Sequence, residues 1–303
     1  MKANKIPNTQ THYQEGFSMI ELLVSLTVLL VIAGASLSVL SYSQKLFHSQ
    51  QTQADMHAGL RGSFELLTQE IGQAGALNFT PRTLTPAITS SSSAQLVPIG
   101  STANIFVGEK LTVDTGSAQE IVTVTAIGSN SITAIFTKSH SAGAIVAAWG
   151  VFPQGVLSSS SATSLNIFGD INADGTLVYV QYDCDTSAGT LTRSVTTIAP
   201  GVTTRNASQT LLTNLIANPG ATACFQYGTA VTASGHTFIP SVAVSLTVQT
   251  SQRDGQTGAY VTMTKSFSNL SSRNILAGLT MAQASPAITN RLQSNPPALP
   301  LGP

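Results

Sequence analysis

Residues 17–40 read FSMIELLVSLTVLLVIAGASLSVL, an apolar stretch in which Glu21 is the only acidic or basic side chain. A helix of this length extends about 36 Å, enough to cross the hydrocarbon core of a bilayer. The preceding residues 1–16 are polar and end in Gly16, the small residue at the polar-to-apolar break. The sequence therefore predicts a leader peptide at 1–16, cut after Gly16, and a transmembrane helix at 17–40.

Glu21 needs a partner, because a carboxylate inside a membrane helix costs about 2.5–3.5 kcal/mol on insertion scales. The chain has no Lys, Arg or His between Phe17 and Lys45. Cleavage after Gly16 would create an α-amino group on Phe17, one helical turn from Glu21 or on a neighbouring helix. The alternative is that Glu21 is tolerated near the end of the span and reaches the headgroups.

The segment GFSMIELLVS at 16–25 resembles the processing motif of type IV pilins and type II secretion pseudopilins. The resemblance implies that prepilin peptidase cleaves between Gly16 and Phe17 and methylates Phe17, and that Glu21 guides docking into a growing filament. It also implies other major and minor pilins, an inner-membrane assembly platform and membrane lipid as partners. Many major pilins have a proline in this helix, whereas here the first proline after Phe17 is Pro81.

A second apolar pattern follows the span. Its spacing of three and four residues predicts an amphipathic stalk helix over 41–78, which lays one face on a sheet and ends near Gly75. The segment LRGSFELLTQEIGQAGAL at 60–77 resembles the helix end of PilW-type minor pilins. The residues of the stripe are Met56, Leu60, Phe64, Leu67, Ile71 and Ala74.

The remainder of the chain alternates in short β-branched runs. We expect a Pro/Ser/Thr-rich linker at 79–95, an inserted β module at 96–149, a pilin-like β-sheet domain at 150–278 with a short helix at 209–218, and a disordered tail at 279–303. The predicted fold class is α+β and pilin-like: a long N-terminal transmembrane and stalk helix packed on an antiparallel β-sheet head, with a small inserted all-β module. Residues 165–275 also resemble the C-terminal sheet of PilW-type pilins and minor pseudopilins.

Cys184 and Cys224 are the two cysteines, and both fall in predicted strands. In an extracytoplasmic compartment they are expected to form a disulfide, which would contribute up to about 4 kcal/mol by closing a loop of about 40 residues. The alternative is a pair of buried thiols.

The stretch DINADG places Asp170, Asn172 and Asp174 at the alternate positions of a calcium loop, with Gly175 at the turn. The twelfth position, which needs a bidentate Glu, is Gln181. A calcium site here is one interpretation, and an Asp/Asn/Gly turn between strands is the other.

Asp114, Glu120, Lys138 and His140 are the polar residues of the β module that could form a site. The alternative, which we expect, is that they belong to solvated turns.

The composition excludes several classes of function. Only 9% of residues are charged and the net charge is zero, which argues against direct nucleic-acid binding. Sequence signatures of hydrolases, nucleotide-binding enzymes and metalloproteases are absent, so we expect no enzyme and no cofactor apart from the possible Ca²⁺. The sequence predicts a minor pilin that initiates or caps a type IV pilus. Alternatives are a minor pseudopilin of a type II secretion system, or a tip adhesin or DNA-uptake subunit.

The predicted location changes during assembly. We expect a single-pass protein of the inner membrane with its head in the periplasm, and later a subunit of the pilus at the cell surface.

Overall fold

The computed structural model describes residues 16–76, 81–199, 201–284 and 291–296. The chain divides into two units, one formed by the residues up to Gln51 with Arg253–Ala259, and the other by Thr52–Gln252 with the residues from Tyr260 onward. The predicted leader lies outside the described residues except for Gly16. Residues 285–290 and 297–303 of the predicted tail also lie outside them.

The first unit contains the N-terminal part of helix α1, which runs from Met19 to Gln73 over 55 residues. Within the described residues, α1 is long and apolar enough to cross a bilayer. Every residue from 16 to 51 is exposed except Ser49. A helix face this apolar is not stable against water, so its surroundings must be lipid or other helices.

The loop Arg253–Ala259 belongs to the same unit and lies against α1. The side-chain amide of Gln256 donates to the Tyr42 hydroxyl at 3.1 Å, and the Ser49 hydroxyl donates to the Asp254 carboxylate. The Asp254 carboxylate also accepts the backbone N–H groups of Gln256 and Thr257, at 3.0 and 2.8 Å. These bonds, the Ser49 hydroxyl first, lower the pKa of Asp254 to about 2. We call this loop, together with Tyr42, Lys45 and Ser49, the collar.

The second unit contains the rest of α1, and the predicted stripe is confirmed there. All six of its residues are buried, from Met56 to Ala74, and they share one core with the strands of the head. The helix ends at Gln73, and Gly75 follows with a φ of +90° that favours glycine.

A small β module comes next and has a core of its own. Its strands form two antiparallel sheets of order β1-β7-β3-β4 and β2-β6-β5. The strands are β1 (Arg82–Thr83), β2 (Gln95–Pro98), β3 (Lys110–Val113), β4 (Glu120–Thr123), β5 (Ala126–Ile127), β6 (Ser131–Ala134) and β7 (Ile145–Ala148).

The module begins earlier than the sequence suggests. The segment expected to be a linker contributes β1, which pairs with β7, and buries Leu84 and Ile88 in the module core. Leu84 and Ile88 stand singly among Ser, Thr and Pro, so the segment shows no alternation that would predict a strand. The chain enters and leaves the module side by side, because Ala76 and Phe152 exchange backbone hydrogen bonds of 2.8 and 2.9 Å.

The remaining strands form the sheet domain, all in antiparallel pairs. One sheet has the order β11-β10-β9-β8, in a second β16 pairs with β12, β13 and β17, and β14 and β15 form a hairpin. The strands are β8 (Ser164–Gly169), β9 (Val178–Asp185), β10 (Thr190–Thr197), β11 (Gln209–Thr213), β12 (Leu215–Ile216), β13 (Phe225–Tyr227), β14 (Val231–Ala233), β15 (His236–Phe238), β16 (Val242–Gln249) and β17 (Thr262–Leu270).

The short helix expected at 209–218 is absent from the structure, because this segment forms β11 and β12. Pairing with β10 and β16 overrides the local leucine-rich pattern, and Asn214, with a φ of +56°, makes the break between the two strands.

The C-terminal region is more ordered than the sequence suggests. Helix α2 (Arg273–Ala282) continues past residue 279, and the Ser272 hydroxyl accepts the backbone N–H of Asn274 at 3.1 Å as its N-cap. Farther on, the Gln293 side chain bonds both backbone groups of Lys110, and the backbone N–H of Gln293 donates to the carbonyl of Val151 at 2.9 Å. Residues 291–296 thus join the module to the sheet domain.

Candidate functional site

The bond between Gly16 and Phe17 lies in exposed, non-helical backbone, two residues ahead of α1. The Phe17 side chain is 74% exposed. A β-carbon added at Gly16 would meet no atom within 4 Å. A protease can therefore reach this bond, and a larger side chain at position 16 would not disturb the fold.

Glu21 lies in the first turn of α1, where its backbone N–H donates to the carbonyl of Ser18 at 3.0 Å. Its side chain is exposed on an otherwise apolar surface, and no ion pair joins it to any residue that the structure describes. A negative charge at a helix N-terminus is favoured by the helix dipole, which offsets only part of the cost in lipid. The carboxylate is therefore available to a partner outside the described residues.

Comparison with known protein families identifies this segment. Residues 11–37 match the family model of the prokaryotic N-terminal methylation motif. The N-terminus is of the prepilin type. The resemblance to type IV pilins and pseudopilins is confirmed at the level of this motif and of the α+β architecture with its long N-terminal helix. No curated protein and no solved structure matches the chain significantly.

Three of the four polar residues of the module, Asp114, Glu120 and His140, bring their side chains together, which corrects the expectation of solvated turns for them, whereas the Lys138 side chain is exposed. The His140 ring is buried, with Nδ1 3.1 Å from an Asp114 carboxylate oxygen and Nε2 2.7 Å from one of Glu120. The Lys138 ammonium donates to the carbonyls of Ser117 and Gln119, both at 2.8 Å. The backbone pairing of His140 with Ile88 directs its side chain inward, a long-range effect that turn propensity does not reveal.

Hydrogen bonding shapes the two carboxylates of this cluster. Burial acts to raise the pKa of Glu120, yet the hydrogen bonds from His140, Thr137 and Lys138 hold it below its ordinary value. The backbone N–H of Thr115 and the His140 ring likewise lower the pKa of Asp114. The two ring nitrogens of His140 face the two carboxylates, and Glu120 also accepts from Thr137 and from the backbone N–H of Lys138, so the polar groups of the cluster are satisfied. Since its polar groups are paired with one another and with nearby backbone, we assign the cluster a structural role.

Replacing His140 by glutamine is expected to destabilise the module by about 2 kcal/mol, because a glutamine amide has one nitrogen where the ring presents two on opposite sides, so one carboxylate loses its hydrogen bond to residue 140. The measurement is urea unfolding of the full chain in detergent, followed by fluorescence of Trp149, the single tryptophan. The matched control is His57→Gln, at an exposed position of α1, which should change the midpoint little. Equal midpoints for the two variants would contradict this role.

The predicted calcium residues form a turn. The two carboxylate oxygens of Asp170 accept the backbone N–H groups of Asp174 and Gly175, at 3.1 and 2.9 Å, and Asp174 accepts that of Thr176. In the part of the chain that the structure describes, no three His, Cys, Asp or Glu side chains are grouped to hold a metal. The hydrogen bonds of Asp170 form an Asx turn, with Asn172 exposed at its tip, and the calcium site stays a prediction.

The structure joins Cys184 and Cys224 by a disulfide. Cys184 lies at the end of β9 and Cys224 directly before β13, so the bond links the two sheets of the head. Both cysteines are buried in the core shared with α1.

The sequence analysis does not predict a buried ionic group that is centred on Glu70. Glu70, on the last turn of α1, is 3% exposed and accepts from the Arg193 guanidinium, with Nε at 3.2 Å, and from the Tyr182 hydroxyl. Burial, and then the charge of Glu70, raise the pKa of Tyr182. The only signal in the sequence is an acidic residue beside the apolar stripe, whose partners lie more than a hundred positions away.

Proposed function

We propose that this chain is a minor pilin, a structural subunit that prepilin peptidase processes and that helps to initiate or cap a type IV pilus. The observation that carries the proposal is the prepilin-type N-terminus, matched over residues 11–37, at the head of a single 55-residue helix. The large head with its inserted module favours a minor over a major subunit, since a small number of copies can accommodate the added bulk. No catalytic activity is proposed.

The proposed mechanism of assembly depends on cleavage between Gly16 and Phe17 and on the carboxylate of Glu21. Hydrolysis of the bond between Gly16 and Phe17 leaves a carboxylate on the leader and a new α-amine on the mature chain. An external methyl donor then transfers its methyl group to this amine, which loses a proton. If the mature helix extends to its first residue, position 21 lies about 6 Å along the axis from position 17. The new amine, in this subunit or in a neighbour, supplies the counter-ion of Glu21 and sets the axial register of adjacent helices.

Replacing Gly16 by aspartate is expected to abolish cleavage while leaving a folded membrane protein, because the new side chain meets no neighbouring atom in the fold. Glu21→Ala should be cleaved but should strongly reduce the number of filaments, since the mature helix loses its charge partner. The measurements are mass spectrometry of the mature N-terminus, including its methylation, and filament counts by electron microscopy.

Gly34→Ala is the matched control for these variants. It changes another glycine of the same exposed helix where an added β-carbon also meets nothing within 4 Å, so cleavage and filament number should stay normal. Retention of the first sixteen residues on the protein from its native host would contradict the proposal.

A minor pseudopilin of a type II secretion system has the same physical design, and the same N-terminus supports it. The two assignments are separated by deleting the gene and scoring surface filaments and protein secretion in parallel. Loss of filaments with normal secretion supports the pilus assignment, and the reverse supports the pseudopilin.

The independent core of the module favours a further role in adhesion or ligand uptake. Because Ala76 and Phe152 are hydrogen-bonded to each other, the intervening residues can be replaced by a short Gly-Ser connection without separating the helix end from the sheet. Normal filament numbers with reduced adhesion in that variant would assign the module to surface binding. Reduced filament numbers would assign it to assembly.

A further inference from the structure

The collar is the part of the first unit in which a second segment of the chain, the loop Arg253–Ala259, contacts α1. Ser49 is the one buried residue between 16 and 51, and its hydroxyl donates to Asp254 of the loop Arg253–Ala259. The backbone of the loop approaches α1 closely, since a β-carbon at Gly255 would lie 3.1 Å from the Lys45 β-carbon. The loop is thus held to the helix at a defined height.

The collar lies just beyond the end of the apolar span, at the level of the lipid headgroups. The apolar span ends at Leu40, and Tyr42 and Lys45 follow about 3 and about 8 Å farther along the helix axis. The headgroup layer on each side of a bilayer extends about 5–8 Å beyond the hydrocarbon. When residues 17–40 span the membrane, the part of the loop that bonds Tyr42 therefore lies among the headgroups.

The chemistry of the collar fits that layer. Lys45 and Arg253 are exposed cations, and Asp254 is the one carboxylate of the collar, so the collar carries two positive charges and one negative charge. Tyr42 is 59% exposed, and an aromatic ring with a polar tip is typical of residues at membrane interfaces. Cations at this depth are attracted to anionic phospholipid.

We propose that, before assembly, the collar contacts phospholipid headgroups on the side of the membrane that carries the head, with Lys45 and Arg253 supplying the positive charge. The contact holds the helix at a fixed depth until the subunit is extracted. This proposal rests on the membrane anchoring that is part of the proposed function, and its test separates the two.

The experiment places a fluorophore on a single introduced cysteine of the full chain, because both native cysteines are joined in the disulfide. Thr257→Cys labels the collar, and Leu30→Cys labels the span. Each protein is reconstituted in vesicles of phosphatidylethanolamine with about one-third phosphatidylglycerol, an anionic membrane. Quenching is compared between lipids that carry a nitroxide on the headgroup and lipids that carry it deep in the acyl chain.

At position 257 the headgroup nitroxide is expected to quench about twofold more strongly than the acyl-chain nitroxide, and at position 30 the order should reverse. Quenching at 30 without quenching at 257 would overturn the collar proposal and leave anchoring intact. Absence of acyl-chain quenching at 30 would overturn the anchoring, and the collar proposal with it.

The charge requirement is tested by Lys45→Gln combined with Arg253→Gln, which should lower headgroup quenching at 257 by about twofold. Because Arg253 also donates to the Gly258 carbonyl at 3.3 Å, the charge-conserving pair Lys45→Arg and Arg253→Lys checks that the effect is electrostatic, and it should behave as the parent. Arg61→Gln, at an exposed position of the same helix, is the matched control. Unchanged quenching in the double glutamine variant would overturn the assignment of these two cations.

Discussion

Replacing Glu70 by leucine is expected to lower the free energy of unfolding of the head by about 4 kcal/mol. Glu70 is 3% exposed and is the shared acceptor of Arg193 and Tyr182. Its removal leaves the Arg193 guanidinium and the Tyr182 hydroxyl partly desolvated without their acceptor. The loss falls on the contact that holds the end of α1 against β9 and β10.

The measurement is urea unfolding of the full chain in detergent, followed by circular dichroism of the sheet. Glu65→Leu makes the same change at an exposed position of α1 and should alter stability by less than about 0.5 kcal/mol. Adding Arg193→Met to Glu70→Leu should recover most of the loss, because the unpaired charge is then removed as well. Equal midpoints for Glu70→Leu and Glu65→Leu would contradict the importance of this group.

Replacing Glu109 by glutamine is expected to stabilise the module at alkaline pH. Glu109 is 2% exposed, and burial raises its pKa from 4.5 to about 8, with smaller opposing effects from the Phe106 N–H and Arg82. A carboxyl whose pKa rises on folding contributes its stability fully below the unfolded pKa, and that stability is lost as pH rises through the folded pKa. The loss between pH 4 and pH 8 amounts to about 4 kcal/mol, and glutamine, which does not ionise, removes it.

Glu120→Gln is the matched partner in the same module and should behave in the opposite way. The pKa of Glu120 is lowered, so its stability is present above its unfolded pKa of 4.5 and is lost as pH falls through the folded value. This variant should be less stable than the parent at neutral pH, and the difference should shrink on acidification.

Both profiles can be read from Trp149, which directly follows β7 and whose backbone N–H donates to the Lys110 carbonyl at 2.9 Å. The experiment is urea unfolding of the full chain in detergent at a series of pH values. A Glu109→Gln variant with the same pH profile as the parent would contradict the raised pKa.

Features with a short sequence period were predictable. The apolar span, the buried stripe from Met56 to Ala74 and most strands of the head follow from spacings of three, four or two residues, which local geometry fixes. The processing segment was predictable for a different reason, because Gly16, Phe17 and Glu21 lie within six positions and carry the resemblance together.

Features that depend on distant pairing were not predictable. Glu70 and Arg193 are separated by 123 positions. The His140 ring lies beside Asp114 and Glu120 because the backbone of His140 pairs with that of Ile88, 52 positions earlier. Hydrogen bonding to β10 turned a leucine-rich segment into β11 instead of a helix. Apolar anchors placed singly among Ser and Thr, such as Leu84 and Ile88, give no period to detect.

The loop Arg253–Ala259 covers one side of α1 at the level of Tyr42 and Ser49 and leaves the other side exposed. At that level, neighbouring helices can approach only from the directions that Arg253–Ala259 leaves uncovered. Without the loop, another helix could contact α1 from any direction around its axis; with the loop in place, some of these directions are blocked. The rotational setting of this chain within a bundle is consequently built into the free subunit, before it meets its first neighbour.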